Sequence, residues 1–244
     1  MNEGKQFFDE RSAAITAMGQ DEELRRKSID WMLHADAYKY TYNFTWMGRP
    51  IIKFPNDMIA QQELVWRTKP DLIIETGIAH GGSIIFSASL LELIGKGRVV
   101  GIDIDIRKHN REEIEAHPMA KRITMIEGGS TDPSVFSQVK ELAKGAESVM
   151  VILDSNHSHE HVLDELKLYS PLVTVGNYVI LPDTFIQFFP KGYYSETRPW
   201  DVDNNPWTAI KEFMSKTDSF EHDSTPVSKC MITESFDGYL RRIK

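Results

Sequence analysis

Between Asp71 and Leu181 the chain repeats one pattern: an apolar run, a turn, then a stretch with helical spacing. Leu72–Glu75, Arg98–Asp103, Arg122–Ile126, Ser148–Asp154 and Asn177–Leu181 read as strands. Ser83–Ile94, Arg107–His117, Asp132–Lys144 and His159–Tyr169 read as the helices between them. Five such alternations bury their apolar faces as a parallel sheet with helices on both sides. The almost wholly apolar Ser148–Asp154 run suits a strand covered on both faces. The fold class expected is therefore α/β, and its ligands belong at the carboxyl ends of the strands.

Outside this region the signals are more varied. Residues 1–56 read as an extension, with two helical segments to about residue 36 and then an irregular, aromatic-rich piece. That piece, Ala37–Pro55, holds Tyr38, Tyr40, Tyr42, Phe44 and Trp46, which suit core, an acceptor pocket or a homo-oligomer interface. Residues 57–244 form the ligand-binding domain, opened by a helix capped by Asn56 or Asp57 and running to about Arg67. Phe185–Asn205 is too long for a routine connection and reads as a lid or binding loop. Asn205-Pro206 starts a helix over Trp207–Lys216, and Ser219–His222 with Lys229–Thr233 reads as a terminal hairpin.

Composition removes several classes of function. A formal net charge of −8 with no basic stripe argues against nucleic acid as a partner. No apolar run reaches the roughly 18–20 residues of a membrane span, and no secretory signal pattern opens the chain. The single cysteine, Cys230, rules out an internal disulfide framework. A cytoplasmic protein with a small-molecule ligand is expected.

The strand ends carry the chemistry. Asp71–Ser83, DLIIETGIAHGGS, runs from a strand through Glu75 into a glycine turn and then a helix. A dinucleotide fingerprint needs a central glycine so that a pyrophosphate can approach the backbone, and Ala79 occupies that place. Glu75 would repel phosphate but attract a sulfonium and an ammonium group. Asp103, at the end of the second strand, is placed to accept ribose hydroxyls. That pairing favours S-adenosylmethionine over NAD. Further along the same rim stand Gly128-Gly129-Ser130, Asp154, His157 and Asp183-Thr184.

Glu75-x-Gly77-x-x-x-Gly81-Gly82-Ser83, with VVGIDID, IEGGS, VILDSNH and YVILPD after it, resembles a class I S-adenosylmethionine-dependent O-methyltransferase. More closely the chain resembles the cephalosporin hydroxylase family, which includes methyltransferases of sugars and antibiotics. The resemblance runs from about Trp46 to the end of the chain. It implies a Rossmann-like sheet in strand order 3-2-1-4-5-7-6 with the last strand antiparallel, an order the terminal hairpin also suggests. It implies cofactor contacts at Glu75, Gly77, Gly81, Ser83, Asp103 and Ser130, and the same rim places Ala79 and Asp154 beside them. By similarity to catechol-type methyltransferases, it implies a divalent ion such as Mg2+ on Asp154 and Asp183, with Thr184 adjacent, and His157 in the place of a catalytic base. The chain departs from that pattern at Pro182, where related enzymes carry a second acid, so the metal stays open at this point.

The expected activity is methyl transfer to a hydroxyl of a small acceptor, a sugar or a secondary metabolite. Asp154 would orient the acceptor oxygen, and His157 would take its proton, imidazole being the side chain that ordinarily titrates nearest neutral pH. Trp46, Arg49, His157 and the Phe185–Trp200 loop are the expected walls of the acceptor pocket. Three rivals remain. His157-Ser158-His159-Glu160-His161 matches a zinc-peptidase pattern of two histidines and a glutamate. An iron-dependent hydroxylase could draw on His157, Asp154 and another histidine. A non-catalytic nucleotide-binding module would use the glycine turn alone.

Overall fold

The computed structural model describes residues 3–194 and 198–244. Helices α1 (Glu3–Gln20) and α2 (Glu22–Asp36) come first, and α2 starts from Asp21, whose carboxylate accepts the Leu24 N–H at 2.8 Å. The aromatic piece that follows is more regular than its sequence suggests. Strands β1 (Phe44–Trp46) and β2 (Arg49–Ile51) form a small antiparallel hairpin. Its turn residues Met47 and Gly48 both have positive φ, the geometry that matches the twist of paired strands.

Helix α3 (Pro55–Thr68) begins with Pro55 in the first turn, and Phe54 before it makes no side-chain cap. Neither Asn56 nor Asp57 caps this helix. Asp57 turns inward instead, where its carboxylate accepts the Glu234 N–H at 2.8 Å and the hydroxyls of Thr233 and Tyr239.

The alternating region follows: β3 (Leu72–Thr76), α4 (Gly82–Ile94), β4 (Arg98–Asp103), α5 (Lys108–Glu115), β5 (Ile123–Glu127), α6 (Pro133–Ala143), β6 (Val149–Leu153), α7 (His159–Tyr169) and β7 (Tyr178–Ile180). Then come α8 (Pro206–Met214), β8 (Phe220–His222), α9 (Thr225–Cys230) and β9 (Tyr239–Arg242). The seven-stranded sheet has the order β5-β4-β3-β6-β7-β9-β8, with β9 antiparallel to both neighbours. Counted from β3, this is 3-2-1-4-5-7-6.

One element of the expected hairpin is wrong. Lys229–Thr233 is not a strand: Lys229 and Cys230 close α9, and Met231 breaks the helix at φ 59°. Thr225-Pro226 starts a helix there, and the Thr233 hydroxyl is spent on Asp57. The strand that pairs β8 is β9, whose Tyr239 and Leu240 are both buried, so alternation is absent from its sequence.

Two apolar layers sandwich the sheet. Ile73 packs with residues of α3 and α4, whereas Leu72 and Ile74 pack with α6, α7 and α8. This two-residue alternation places Glu75 on the same side as Ile73, under α4. A third cluster joins Met32, Phe54, Phe185, Ile186, Phe189 and Phe236. The first half of the expected lid loop is thus core, and its residues 195–197 lie outside the described residues. Among the described residues no helix is long and apolar enough to cross a membrane.

Gly82 allows the β1–β2 hairpin to sit on the start of α4. A Cβ on it would lie 2.1 Å from the Pro50 carbonyl oxygen. Gly82→Ala is expected to lower unfolding stability by about 3 kcal/mol, read from urea denaturation, because backbone rather than a mobile side chain must give way.

Candidate active site

The glycine turn is held from several sides. Gly77 is left-handed at φ 90°, and a Cβ there would come within 1.9 Å of the Asp154 carbonyl oxygen. Asp103 Oδ2 accepts the N–H groups of Ile78 and Ala79 at 2.8 and 3.1 Å, and its Oδ1 accepts the Asp105 N–H. The Ala79 carbonyl accepts from the Asn110 amide, and the His80 carbonyl from the Arg49 guanidinium. Ala79 itself is left-handed at φ 47°, a conformation these bonds impose on a residue with a Cβ. Asp103 therefore shapes the turn with both oxygens, a role its position at the strand end does not announce.

Beyond the turn, three groups from different strand ends converge. Asp154 follows β6 and its N–H bonds the Thr76 carbonyl at 2.9 Å. His157 lies ahead of α7, and Asp183 follows β7 in a left-handed conformation at φ 58°. One ligand-type atom from each lies within 4.8 Å of the others, and His157 Nε2 is 3.5 Å from Asp183 Oδ2. The edge of the Trp200 ring meets the His157 ring at 4.6 Å between centroids.

Behind them lies a residue pair the sequence reading missed. Lys53 is 3% exposed, and its ammonium donates to Glu234 Oε1 at 2.8 Å and to Asp154 Oδ2 at 3.3 Å. Burial by itself would lower the Lys53 pKa, but Glu234, Asp154 and Glu75 together hold it well above the ordinary lysine range. Burial pushes Asp154 and Glu234 up, and in each case Lys53 pulls back. The only sequence signal for Lys53 is a lone charge inside the apolar run Ile51–Phe54.

A cavity of about 310 Å³ opens over both the turn and the acid cluster. Gly77, Ala79, Ser83, Asp154, His157 and Asp183 line it, as expected. Its far wall is Phe185, Tyr194, Arg198 and Trp200, joined by Tyr42 of the aromatic piece and by Asp36 and Thr41, the last two of which the sequence reading did not place there. Asp36 also accepts the hydroxyls of Tyr193 and Tyr194, tying α2 to that wall.

Other expected residues take different places. Trp46 is not a pocket wall: it packs edge-on against Phe86 and donates its Nε1–H to Ser89. Arg49 serves the turn and not the acceptor. Ser130 is buried, with its hydroxyl on His161 Nε2, and Gly81 packs on Ile114. Thr184 is no ligand in this arrangement, since it is fully buried and its hydroxyl donates to the Glu234 carbonyl at 3.1 Å.

Glu75 lies beneath the turn, wholly buried, and its Oε1 and the nearby Ser83 Oγ make no hydrogen bond of good geometry, although Ser83 is close enough to pull the Glu75 pKa down. Orphaned acceptor atoms at this depth fit the cationic amino-acid end of S-adenosylmethionine. The carboxylates of Asp154 and Asp183 likewise fit a divalent cation such as Mg2+, as hard oxygen donors.

The rival metal sites do not assemble. His157 and His161 do not share a helix face, because His157 precedes α7 while His161 Nε2 faces Ser130 and Ser155. His159 is engaged by Thr208 and Glu212. Among the described residues the one ligand cluster holds a single histidine, short of both the peptidase and the iron hydroxylase requirement.

This sheet order, with a glycine turn ending its central strand, is the architecture of class I methyltransferases. Residues 38–243 match the model of the Rhamnosyl O-methyltransferase/CmcI family. The rhamnosyl O-methyltransferase of Mycobacterium leprae is 31% identical over 201 residues, covering 81% of this chain and 82% of that protein. Its Mycobacterium tuberculosis counterpart is 30% identical over 206 residues, covering 81% and 78%. Among solved structures, CmcI with Mg and SAM aligns at a TM-score of 0.59 and 21% identity, covering 83% of this chain and 78% of that one. An O-methyltransferase from Bacillus cereus in complex with SAH aligns at 0.54 and 16%, covering 82% of each. The chain belongs to the Rhamnosyl O-methyltransferase/CmcI family, and it is an S-adenosylmethionine-dependent O-methyltransferase.

Burial raises the Glu75 pKa to about 7, against an opposing pull from Lys53. The folded protein then holds a proton that the unfolded chain releases above its ordinary carboxyl range. Stability from this group is present in full below about pH 4.5 and is lost as pH rises through about 7. In cofactor-free protein, Glu75→Gln is expected to remove a stability loss on the order of 3 kcal/mol between pH 5 and 8. Urea midpoints of the two proteins across that range measure it.

Proposed function

We propose that the enzyme methylates a hydroxyl of a glycosyl acceptor, with a rhamnosyl or similar deoxysugar as the leading candidate. The observation that carries this reading is the convergence of Asp154, His157 and Asp183 on the cavity that also exposes the glycine turn. The relatives' name supports a sugar acceptor, and the aromatic wall of Phe185, Tyr194 and Trp200 supports it independently, because aromatic faces suit the C–H faces of sugars.

Ser83 and the backbone of the glycine turn would hold the cofactor, with Glu75 buried beneath them, and the bound cofactor would supply an electrophilic methyl group to the cavity that Asp154 lines. Orientation of the acceptor oxygen in line with that methyl supplies several kcal/mol, on the order of what fixed geometry contributes elsewhere. Asp154 and Asp183 would hold a divalent ion such as Mg2+, which lowers the pKa of a coordinated hydroxyl and fixes its direction. Thr184 is left out of that ligand set.

His157 is the general base. Asp183 Oδ2, 3.5 Å from its Nε2, orients the ring toward the cavity. The bound cofactor would supply the methyl group, its carbon–sulfur bond breaking as the acceptor oxygen takes the methyl, and His157 would hold the proton that the oxygen gives up.

His157→Ala is expected to keep S-adenosylhomocysteine affinity within about twofold while kcat falls by about 10²–10⁴. Transfer of labelled methyl to an α-L-rhamnoside reads kcat, and calorimetry reads affinity. Unchanged turnover in that variant removes the base assignment. Titration with S-adenosylhomocysteine and with NADH, each with and without Mg2+, tests the cofactor and metal assignments separately. Tight NADH binding without S-adenosylhomocysteine binding would overturn the cofactor choice.

A further inference from the structure

Lys53 is the least expected charge in the molecule. It stands on the segment after β2, 3% exposed, among acids contributed by three other parts of the chain. A buried ammonium is costly unless its partners are rigidly placed, and here they are. Glu234 is gripped on both sides: its N–H donates to Asp57 Oδ2 at 2.8 Å, and its carbonyl accepts the N–H and hydroxyl of Thr184 at 2.9 and 3.1 Å. Its carboxylate holds Lys53 at 2.8 Å, and Lys53 in turn holds Asp154 Oδ2 at 3.3 Å.

The single residue Glu234 thus reaches both acids of the acceptor site. Through its side chain and Lys53 it fixes Asp154, and through its main chain and Thr184 it fixes the residue next to Asp183. Glu75 and Asp57 stand nearby as well, so Lys53 is the cation that these carboxylates share, and one oxygen of Asp154 is already held by it.

We propose that Lys53, clamped by Glu234, is a positioning residue that orients Asp154 and tempers the acid cluster's attraction for the divalent ion it would hold. This rests on the reading of Asp154 and Asp183 as the acceptor-side cation site. In this arrangement Lys53 weakens cation binding while improving its placement.

The test is Mn2+ titration of the full chain by calorimetry, comparing wild type, Lys53→Met, Lys53→Arg and Glu234→Gln. S-adenosylhomocysteine affinity serves as the check on folding. Lys53→Met is expected to bind Mn2+ at least about tenfold tighter than wild type, since a cation close to the site has been removed, while kcat falls. Lys53→Arg is expected to restore wild-type Mn2+ affinity. Equal or weaker Mn2+ binding by a Lys53→Met protein that still binds S-adenosylhomocysteine overturns the proposal and leaves the metal reading in place. Binding by Lys53→Met but not by wild type supports the role of Lys53 and overturns Mg2+ assistance. No binding by either overturns both. Should Lys53→Met fail to fold, Glu234→Gln decides: it frees Lys53 to lie wholly against Asp154, and Mn2+ affinity is expected to drop at least about tenfold. Unchanged affinity there sinks the idea.

Discussion

A single ammonium buried among carboxylates joins parts of the chain that are far apart in sequence. Lys53 comes from the edge of the N-terminal extension, Asp154 from the end of β6, and Glu234 from the loop before β9. Removing water from these groups disfavours each of them alone, and only their mutual placement makes the arrangement tolerable. Asp57 adds the anchor that keeps Glu234 from following Lys53, with Thr233 and Tyr239 completing its own hydrogen bonds. The extension therefore contributes a buried charge to the acid cluster beside the cavity.

The glycine turn shows the same logic with backbone groups. Its conformation is fixed by Asp103 from β4, Asn110 from α5 and Arg49 from β2, so three neighbours hold one loop in a left-handed course. Gly77 is required because the chain after β6 passes within contact of it, and Gly82 because the hairpin does. What these glycines permit is close approach, and that approach brings Asp154 and the cofactor turn to one cavity.

The sheet itself was readable from the sequence because its strands are buried on both faces and its helices carry apolar stripes; those are local signals. The glycine turn and the three groups Asp154, His157 and Asp183 were readable too, since each follows a strand and strand ends face one rim. The reading failed where a residue's partner lies far along the chain. Asp57 looked like a helix cap and is a buried anchor. Arg49 and Trp46 looked like pocket walls and support the turn and the core. Lys229–Thr233 looked like a strand, whereas the strand that closes the sheet, β9, has no alternation to mark it.

The sequence alone determined the class of fold, the choice of a sulfonium nucleoside over a dinucleotide, and the identity of the acid–histidine set, because each depends on residue type and on order along strands. Tertiary structure decided which of those groups share a cavity, that Thr184 is spent on a carbonyl, that Asp103 shapes the turn, and that Lys53 is present in the site at all. The physical reason is that burial creates the need for a partner, and the partner is chosen by proximity in space. The first link, from Lys53 to Glu234, spans most of the chain, and no local pattern records it.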